Sequence, residues 1–447
     1  MVVSYYKIKI FVLYLLINLL PRLFCFWTVF VSFRKNLILI LFCYIIFLGG
    51  SMKKSIRYVG LLMIIILLSG CGYDVYKMPE DAYINLNENI FEVYSKHDIN
   101  DLVSDTNTEI IGSNKIDTDS IGEFTYVLDY KYDDRKYKLI VKYSVVDTTK
   151  PVFIGASSEL EILVNSEDNI CDKIVFGDNY DNKPSCSING EYNINTSGVY
   201  DNLEYVIKDS SGNENTKKFK LKVVSELSKA KSNTKPKYLY MDDIIKRYKN
   251  DNTSIGIDVS KWQGNVDFKK VKDAGIEFVI MRIGSQRDIN EDISIDSKFK
   301  EYYKAVKEVG LKVSVYVYNT AISYEDGVKT ANWVIDMLDG DKLDLPIAYD
   351  WENWKDFNKY NISLHTLSDS YLAFEKTLKE HGYDSMLYSS KFYLENVWMN
   401  YENSNVWLAH YIDKTDYNGK YMLWQMTSLA RIDGITDNTV DIDIMYK

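Results

Sequence analysis

The sequence predicts a multidomain chain that ends in an α/β barrel of (βα)5(β)3 type and carries two small all-β sandwich modules before it. The length of 447 residues is too great for one ordinary domain. Between residues 75 and 225, short alternating runs are separated by Asp, Asn, Gly and Ser clusters, which indicates β-strands joined by turns. Residues 254–447 show five strand-then-helix patterns followed by three strands, and this order can close a barrel.

Composition excludes several classes of function. A net charge of −10 gives no basic surface for nucleic acid. Zinc peptidases and amidases need closely spaced ligands, and the histidines have no such spacing, so we predict no metal site and no cofactor. A serine or cysteine hydrolase would need a nucleophile elbow and a paired histidine, which are also missing. The histidines are His97, His365, His381 and His410.

Residues 52–71 have the order of an export signal. Lys53 and Lys54 precede an apolar run, which ends in Leu68-Ser69-Gly70-Cys71. This order resembles a bacterial lipoprotein signal with its lipobox. The resemblance implies a diacylglyceryl group on Cys71 and a lipid-anchored protein on the outer face of the cell membrane. The alternative is a transmembrane helix that ends in a cysteine by chance.

Residues 1–51 form an apolar leader in front of that signal. We interpret Met52 as the translation start, because Gly49-Gly50 is what a purine-rich ribosome-binding site encodes when it is read in frame. On this hypothesis residues 1–51 are not translated. Otherwise one or two membrane spans precede the signal.

The β-rich region divides at a weak internal repeat into residues 75–148 and 149–225. The second module resembles bacterial immunoglobulin-like domains, and the first fits that pattern less well. Both are interpreted as spacers, with cell-wall or protein binding as the alternative. Cys171 and Cys186 either form a disulfide, which would contribute on the order of 3 kcal/mol, or remain free thiols. Lys-rich residues 226–253 are predicted to be a linker.

Acidic residues lie at the ends of several predicted barrel strands: Asp258, Asp350 with Glu352, and Asp441 with Asp443. Side chains two apart on a strand share a face about 6.5–7 Å apart, so Asp350 and Glu352 should face one barrel mouth. Glycoside cleavage requires one protonated carboxyl and a second, negative group beside the oxocarbenium-like centre. The structural alternative is a solvated acidic strand end.

The barrel region also carries a set of motifs in a specific order, which resembles the glycoside hydrolase family 25 lysozymes. The resemblance implies hydrolysis of the β-1,4 bond between N-acetylmuramic acid and N-acetylglucosamine in peptidoglycan. By position, it makes Glu352 the general acid and Asp350 the residue that orients the substrate acetamido group or stabilises the cationic centre. Asp258 and Asp441 become supporting carboxylates. The motifs are Gly256-Ile257-Asp258-Val259-Ser260-Lys261-Trp262-Gln263-Gly264, Phe278-Val279-Ile280-Met281-Arg282, Tyr316-Val317-Tyr318, Ala348-Tyr349-Asp350-Trp351-Glu352, Leu387-Tyr388-Ser389, Trp407-Leu408-Ala409-His410-Tyr411, Leu423-Trp424-Gln425-Met426 and Val440-Asp441-Ile442-Asp443.

One position departs from this family pattern. The family more often has Asn where this chain has Asp443. The fourth carboxylate is therefore assigned to Asp441, with Asp443 as the alternative. A catalytically inactive cell-wall-binding lipoprotein is the alternative function. The intact carboxylates argue against it, because buried charges are costly to keep. Substrate-binding residues are predicted to be Tyr316, Tyr388, Trp424, Tyr411 and Arg282.

Overall fold

The computed structural model describes residues 78–112, 115–228, 236–436 and 438–446. The leader of residues 1–51 and the predicted lipoprotein signal with Cys71 lie outside the described residues. Among the residues that are described, no helix is both long enough and apolar enough to cross a bilayer.

The described residues form two compact units. The first unit contains residues 78–87, 103–112 and 126–141. The second unit contains all other described residues. The elements of residues 78–148 are β1 (Ile84–Leu86), β2 (Ile90–Glu92), α1 (Ile99–Leu102), β3 (Val103–Thr106), β4 (Glu109–Ile111), β5 (Gly122–Tyr132) and β6 (Arg135–Val146). Within the first unit β1 pairs antiparallel with β3, and β4 pairs antiparallel with β5. Within the second unit β2 runs parallel to the end of β6.

Residues 149–225 form a small β-structure inside the second unit. Its strands are β7 (Val152–Gly155), β8 (Glu159–Leu163), β9 (Val175–Gly177), β10 (Ser185–Asn189), β11 (Gly198–Lys208) and β12 (Glu214–Val224). One sheet has the order β10-β11-β12-β8, and β7 pairs with β9. Alternate side chains of β11 and β12 fill its core, where the rings of Tyr205 and Phe219 stack 3.8 Å apart. A disulfide joins Cys171 to Cys186.

The rest of the second unit is the barrel. Its strands are β13 (Leu239–Tyr240), β14 (Thr253–Val259), β15 (Phe278–Ser285), β16 (Ser294–Ile295), β17 (Lys312–Asn319), β18 (Ile347–Trp351), β19 (Ser385–Ser390), β20 (Asn405–Ala409), β21 (Leu423–Arg431) and β22 (Val440–Tyr446). Its helices are α2 (Met241–Tyr248), α3 (Phe268–Asp273), α4 (Phe299–Glu308), α5 (Tyr324–Leu338), α6 (Phe357–Tyr360), α7 (Leu364–Glu380) and α8 (Lys391–Asn396).

The barrel closes through its last strand. Parallel pairing runs from β14 through β15, β17, β18, β19 and β20 to β21. Strand β22 then pairs antiparallel with both β21 and β14. The predicted α/β barrel in the C-terminal region is therefore confirmed. The end of the predicted linker lies on this barrel, because Met241 and Ile244 of α2 are buried in its core.

Strand alternation decides which side chains enter the barrel. On β18, Tyr349 and Trp351 pack into the outer layer with the helices, while Ala348 and Asp350 point inward. On β14, Gly256 is the inward residue two before Asp258. A Cβ at Gly256 would lie 2.2 Å from the Phe278 ring, so only glycine leaves room for that ring below the site.

Candidate active site

The carboxyl ends of the barrel strands surround a cavity of about 290 Å³. Asp258 and Asp350 belong to β14 and β18, and Glu352 follows β18 directly. Asp441 comes from the start of β22, which lies at the same barrel end because this strand runs antiparallel to its neighbours. Asp350 and Glu352 thus face one cavity, as their spacing predicted. The lining residues are Asp258, Arg282, Tyr316, Tyr318, Asp350, Glu352, Tyr388, Trp407, Tyr411, Gln425 and Asp441.

A second and larger cavity of about 690 Å³ adjoins the first. The two share Glu352, Tyr388 and Tyr411, so Glu352 lies where they meet. The larger cavity is largely aromatic: Trp354 and Tyr393 stack 3.9 Å apart, and Phe392 is exposed at its edge. Together the two cavities offer room on both sides of Glu352.

Asp350 is a buried acid with an unused oxygen. Its Oδ1 has no hydrogen-bond partner among the described residues. Burial raises the pKa of Asp350 well above its ordinary value, nearby Glu352 raises this pKa further, and Arg282 opposes the shift. Such an oxygen is costly to bury without a donor, and its position in the cavity suits it to a donor on a ligand.

Glu352 is exposed to solvent at the cavity mouth, and the neighbouring protein partly desolvates its carboxyl. This partial desolvation raises the pKa of Glu352, and the nearby Tyr388 hydroxyl opposes the shift. Asp350 and Glu352 repel each other when both are ionised, so the first to lose its proton makes the second harder to ionise. Simultaneous ionisation of both acids is therefore opposed.

Arg282 is positioned by an acid that sequence reasoning missed. Its Nη2 lies 2.6 Å and its Nε 2.8 Å from Oδ2 of Asp296, whose side chain is almost fully buried. The backbone N–H groups of Lys261 and Lys298 also donate to Asp296. Asp296 lies in a loop after β16 with no motif around it, so no sequence signal connects it to the site.

Gln425 is a second residue that sequence reasoning missed. Its Nε2 donates to Asp258 Oδ2 at 2.8 Å, and its Oε1 accepts hydrogen bonds from the hydroxyls of Tyr388 and Tyr411, each at 2.8 Å. Gln425 thereby links three groups of the cavity wall. Alternation along β21 could have identified it, because Leu423 and Gln425 point inward.

The same alternation corrects the prediction for Trp424. Its ring lies in the outer layer, 5.7 Å from the Tyr248 ring of α2, and its Nε1 donates to the His410 carbonyl at 2.8 Å. Trp424 is 2% exposed and does not line either cavity, so it is not placed to bind substrate. Tyr316, Tyr388, Tyr411 and Arg282 do line the smaller cavity.

The two acids of β22 occupy different environments. Asp441 lines the cavity, and burial raises its pKa to about 7. Asp443 is fully buried, and its Oδ1 accepts a 2.7 Å hydrogen bond from Trp407 Nε1. The structure thus places Asp441 rather than Asp443 at the cavity surface. Burial raises the pKa of Asp443 well above its ordinary value, as it does for Asp258.

We predict that Asp443→Asn stabilises the protein at neutral pH. The folded state raises the pKa of Asp443, so it retains a proton that the unfolded chain releases, and stability falls as pH rises between the two pKa values. Asparagine keeps an acceptor for Trp407 without that penalty. We expect a gain of about 1–3 kcal/mol in the free energy of unfolding at pH 7.5, vanishing near pH 4, in urea titrations. A gain of equal size at both pH values would contradict this account.

A known family model matches the barrel region. Residues 257–435 match the family model of glycosyl hydrolases family 25. The matched residues cover most of the barrel. The family 25 segment contains Asp258, Asp350 and Glu352, and it ends before Asp441.

Similar proteins include one curated relative and several solved structures. The chain is 28% identical over 191 residues to an autolytic lysozyme of Clostridium acetobutylicum, covering 42% of this chain and 54% of the relative, so it spans about half of that protein. The modular autolysin LytC of Streptococcus pneumoniae, solved with a synthetic peptidoglycan ligand, is 23% identical with a TM-score of 0.40, covering 54% of this chain and 56% of that one. A family 25 glycosyl hydrolase from Bacillus anthracis is 18% identical with a TM-score of 0.38, and the match covers 45% of this chain and 90% of that one.

Proposed function

We propose that this protein hydrolyses peptidoglycan at the β-1,4 bond between N-acetylmuramic acid and N-acetylglucosamine. The observation that carries the proposal is the shared cavity of Asp350 and Glu352 at the carboxyl ends of the barrel strands. The match of residues 257–435 to the family 25 model and the similarity to the clostridial autolytic lysozyme support the substrate class.

Glu352 is the general acid in this proposal. Its raised pKa keeps a proton available, and its place between the two cavities lets it protonate an oxygen that joins a sugar in one to a sugar in the other. The smaller, acidic cavity holds the sugar whose anomeric carbon becomes cationic. The aromatic walls of the larger cavity suit the apolar faces of the leaving sugar.

Asp350 acts on the sugar in the smaller cavity. Its unpartnered Oδ1 can accept a hydrogen bond from the acetamido N–H, which turns the acetamido oxygen toward the anomeric carbon. With the shared proton on Glu352, Asp350 is negatively charged; Arg282 favours this charge, which in turn stabilises the oxocarbenium-like centre. Gln425 restrains Asp258 and the two tyrosine hydroxyls, so the cavity keeps its shape as charge develops.

Analysis of the reaction products tests the bond that is cut. Purified sacculi are digested, the soluble muropeptides are reduced with borohydride, and the reducing-end sugars are identified by mass spectrometry. We expect N-acetylmuramitol at the new ends. N-acetylglucosaminitol, or release of peptides without new sugar ends, would contradict the proposal.

We further propose that Cys71 anchors the protein to the outer face of the cell membrane, where it remodels the cell wall. The support is the sequence of residues 52–71, with its cationic start and Leu68-Ser69-Gly70-Cys71 end. Cells that express the chain are labelled with radioactive palmitate, and the protein is immunoprecipitated. Label should enter the wild type and be lost in Cys71→Ala, whereas equal labelling of both would exclude the anchor.

A further inference from the structure

Three buried acids meet in the second unit, away from the barrel cavity. Asp147 follows β6, Asp178 follows β9, and Asp209 follows β11. Carboxylate oxygens of the three lie within 4.8 Å of one another, and none of the three residues is more than 6% exposed. We call these residues the junction acids.

The charge of the junction acids is not balanced by a cationic side chain. None of the lysines and arginines in the described ranges forms an ion pair with them. Their partners are neutral: the N–H groups of Tyr180 and Asp181 donate to Asp178, and the hydroxyl of Ser211 donates to Asp147. Burial raises the pKa of Asp178 to about 6 and also raises that of Asp147, so keeping these acids ionised is costly without a compensating charge.

Two buried oxygens at this place also lack a partner. Asp178 Oδ2 and Asn179 Oδ1 have no hydrogen-bond donor among the described residues, and both side chains are at least 95% buried. The amide of Asn179 faces the junction acids, because its Nδ2 lies 3.3 Å from Asp147 Oδ1. A 180° rotation of this amide would place its oxygen, instead of its nitrogen, beside Asp147 Oδ1. Buried oxygens without a donor are rare. A cation bound among the junction acids accounts for Asp178 Oδ2 directly, and it accounts for the Asn179 oxygen once that amide is turned.

The histidine spacing predicted no metal site, but the carboxylates brought together here change that expectation: we propose that the junction acids, together with Asn179, bind one Ca²⁺ ion. Every available ligand atom is an oxygen, and the set contains no histidine or cysteine, which excludes a typical zinc site. Ca²⁺ accepts carboxylate and amide oxygens in irregular arrangements and supplements them with water. Mg²⁺ requires a near-ideal octahedron and gives up its own water reluctantly.

The ion would also strengthen the attachment of residues 149–225 to the barrel. The carbonyl of Asp178 accepts a 2.7 Å hydrogen bond from the Leu364 N–H, and that of Asn179 accepts one of 3.3 Å from the His365 N–H, both at the start of α7. The Tyr94 ring stacks on His365 at 3.5 Å. A cation that orders Asp178 and Asn179 therefore orders the backbone that contacts the barrel helix.

Calorimetric titration of the purified, chelator-treated full chain with CaCl₂ tests the proposal. We expect one Ca²⁺ per chain with a Kd at or below about 10⁻³ M, and binding of Mg²⁺ at least about tenfold weaker. The melting temperature should rise by about 2 °C or more in 10 mM Ca²⁺. No heat and no shift for the wild type, or equal affinity for Mg²⁺, would overturn the proposal without reference to any variant.

Three variants locate the ion. Asp178→Asn should weaken Ca²⁺ binding at least about tenfold, because it removes one of the three charges. Glu191→Gln, which removes an exposed charge from the same module, should bind as the wild type does. Asp441→Asn should also bind normally, because its acid belongs to the barrel cavity. Unchanged binding by Asp178→Asn, or loss of binding in Asp441→Asn, would overturn the site.

Discussion

Replacing Glu352 by glutamine is expected to lower kcat/KM on purified sacculi by about 10²–10⁴-fold. Glutamine keeps the size and polarity of the side chain but has no proton to give to the leaving oxygen. The clearance of turbid sacculi by wild type and Glu352→Gln at matched concentrations measures the loss. The matched control is Glu308→Gln, which makes the same change on an exposed face of α4 and should leave the rate unchanged.

An activated substrate separates proton donation from other roles of Glu352. A β-glycoside of N-acetylated sugars with an acidic phenol as leaving group needs little protonation. We expect Glu352→Gln to lose much less activity on that substrate than on sacculi. An equal loss on both would indicate that Glu352 acts by binding or structure and not as the acid.

Asp350→Asn is expected to lower kcat by about 10²–10³-fold. Its carboxylate is assigned to the acetamido group and the cationic centre, which every substrate of the reaction shares. The loss should therefore be similar on sacculi and on the activated glycoside, in contrast to Glu352→Gln. Steady-state kinetics on both substrates measures it, with Asp336→Asn on the exposed side of α5 as the control. A loss confined to sacculi would contradict the role given to Asp350.

Folding should survive the Asp350 substitution. The carboxylate is buried, its Oδ1 has no donor among the described residues, and an amide of the same shape carries no charge to desolvate. A melting temperature at or above that of the wild type would confirm that the lost activity is chemical. A large drop would mean that Asp350 supports the barrel itself.

The barrel and its carboxylates could be predicted because both follow local rules. Strand and helix periods differ along the chain, and acids at the ends of parallel strands necessarily share one end of a barrel. Asp350 and Glu352 are two residues apart, so their common face follows from alternation alone. The family resemblance then added roles that spacing cannot give.

The errors and omissions arose where long-range packing decides. The indole of Trp424 suits a sugar site, but the register of β21 sends it outward and sends Gln425 inward. Asp296 reaches Arg282 from a loop, and the junction acids come from three strand ends far apart in sequence. Each of these acids alone is an ordinary loop residue, and only the tertiary structure brings them to their partners.

The pH dependence of kcat/KM on sacculi tests most directly whether Asp350 and Glu352 share one proton in the working enzyme. The wild type should give a bell-shaped pH profile of kcat/KM. Activity rises as the pair becomes singly ionised and falls as Glu352 loses its proton at a raised pKa. Glu352→Gln should lose the alkaline limb, and Asp441→Asn, which removes the acid with a pKa of about 7, should keep it. An alkaline limb that persists unchanged in Glu352→Gln would contradict the account.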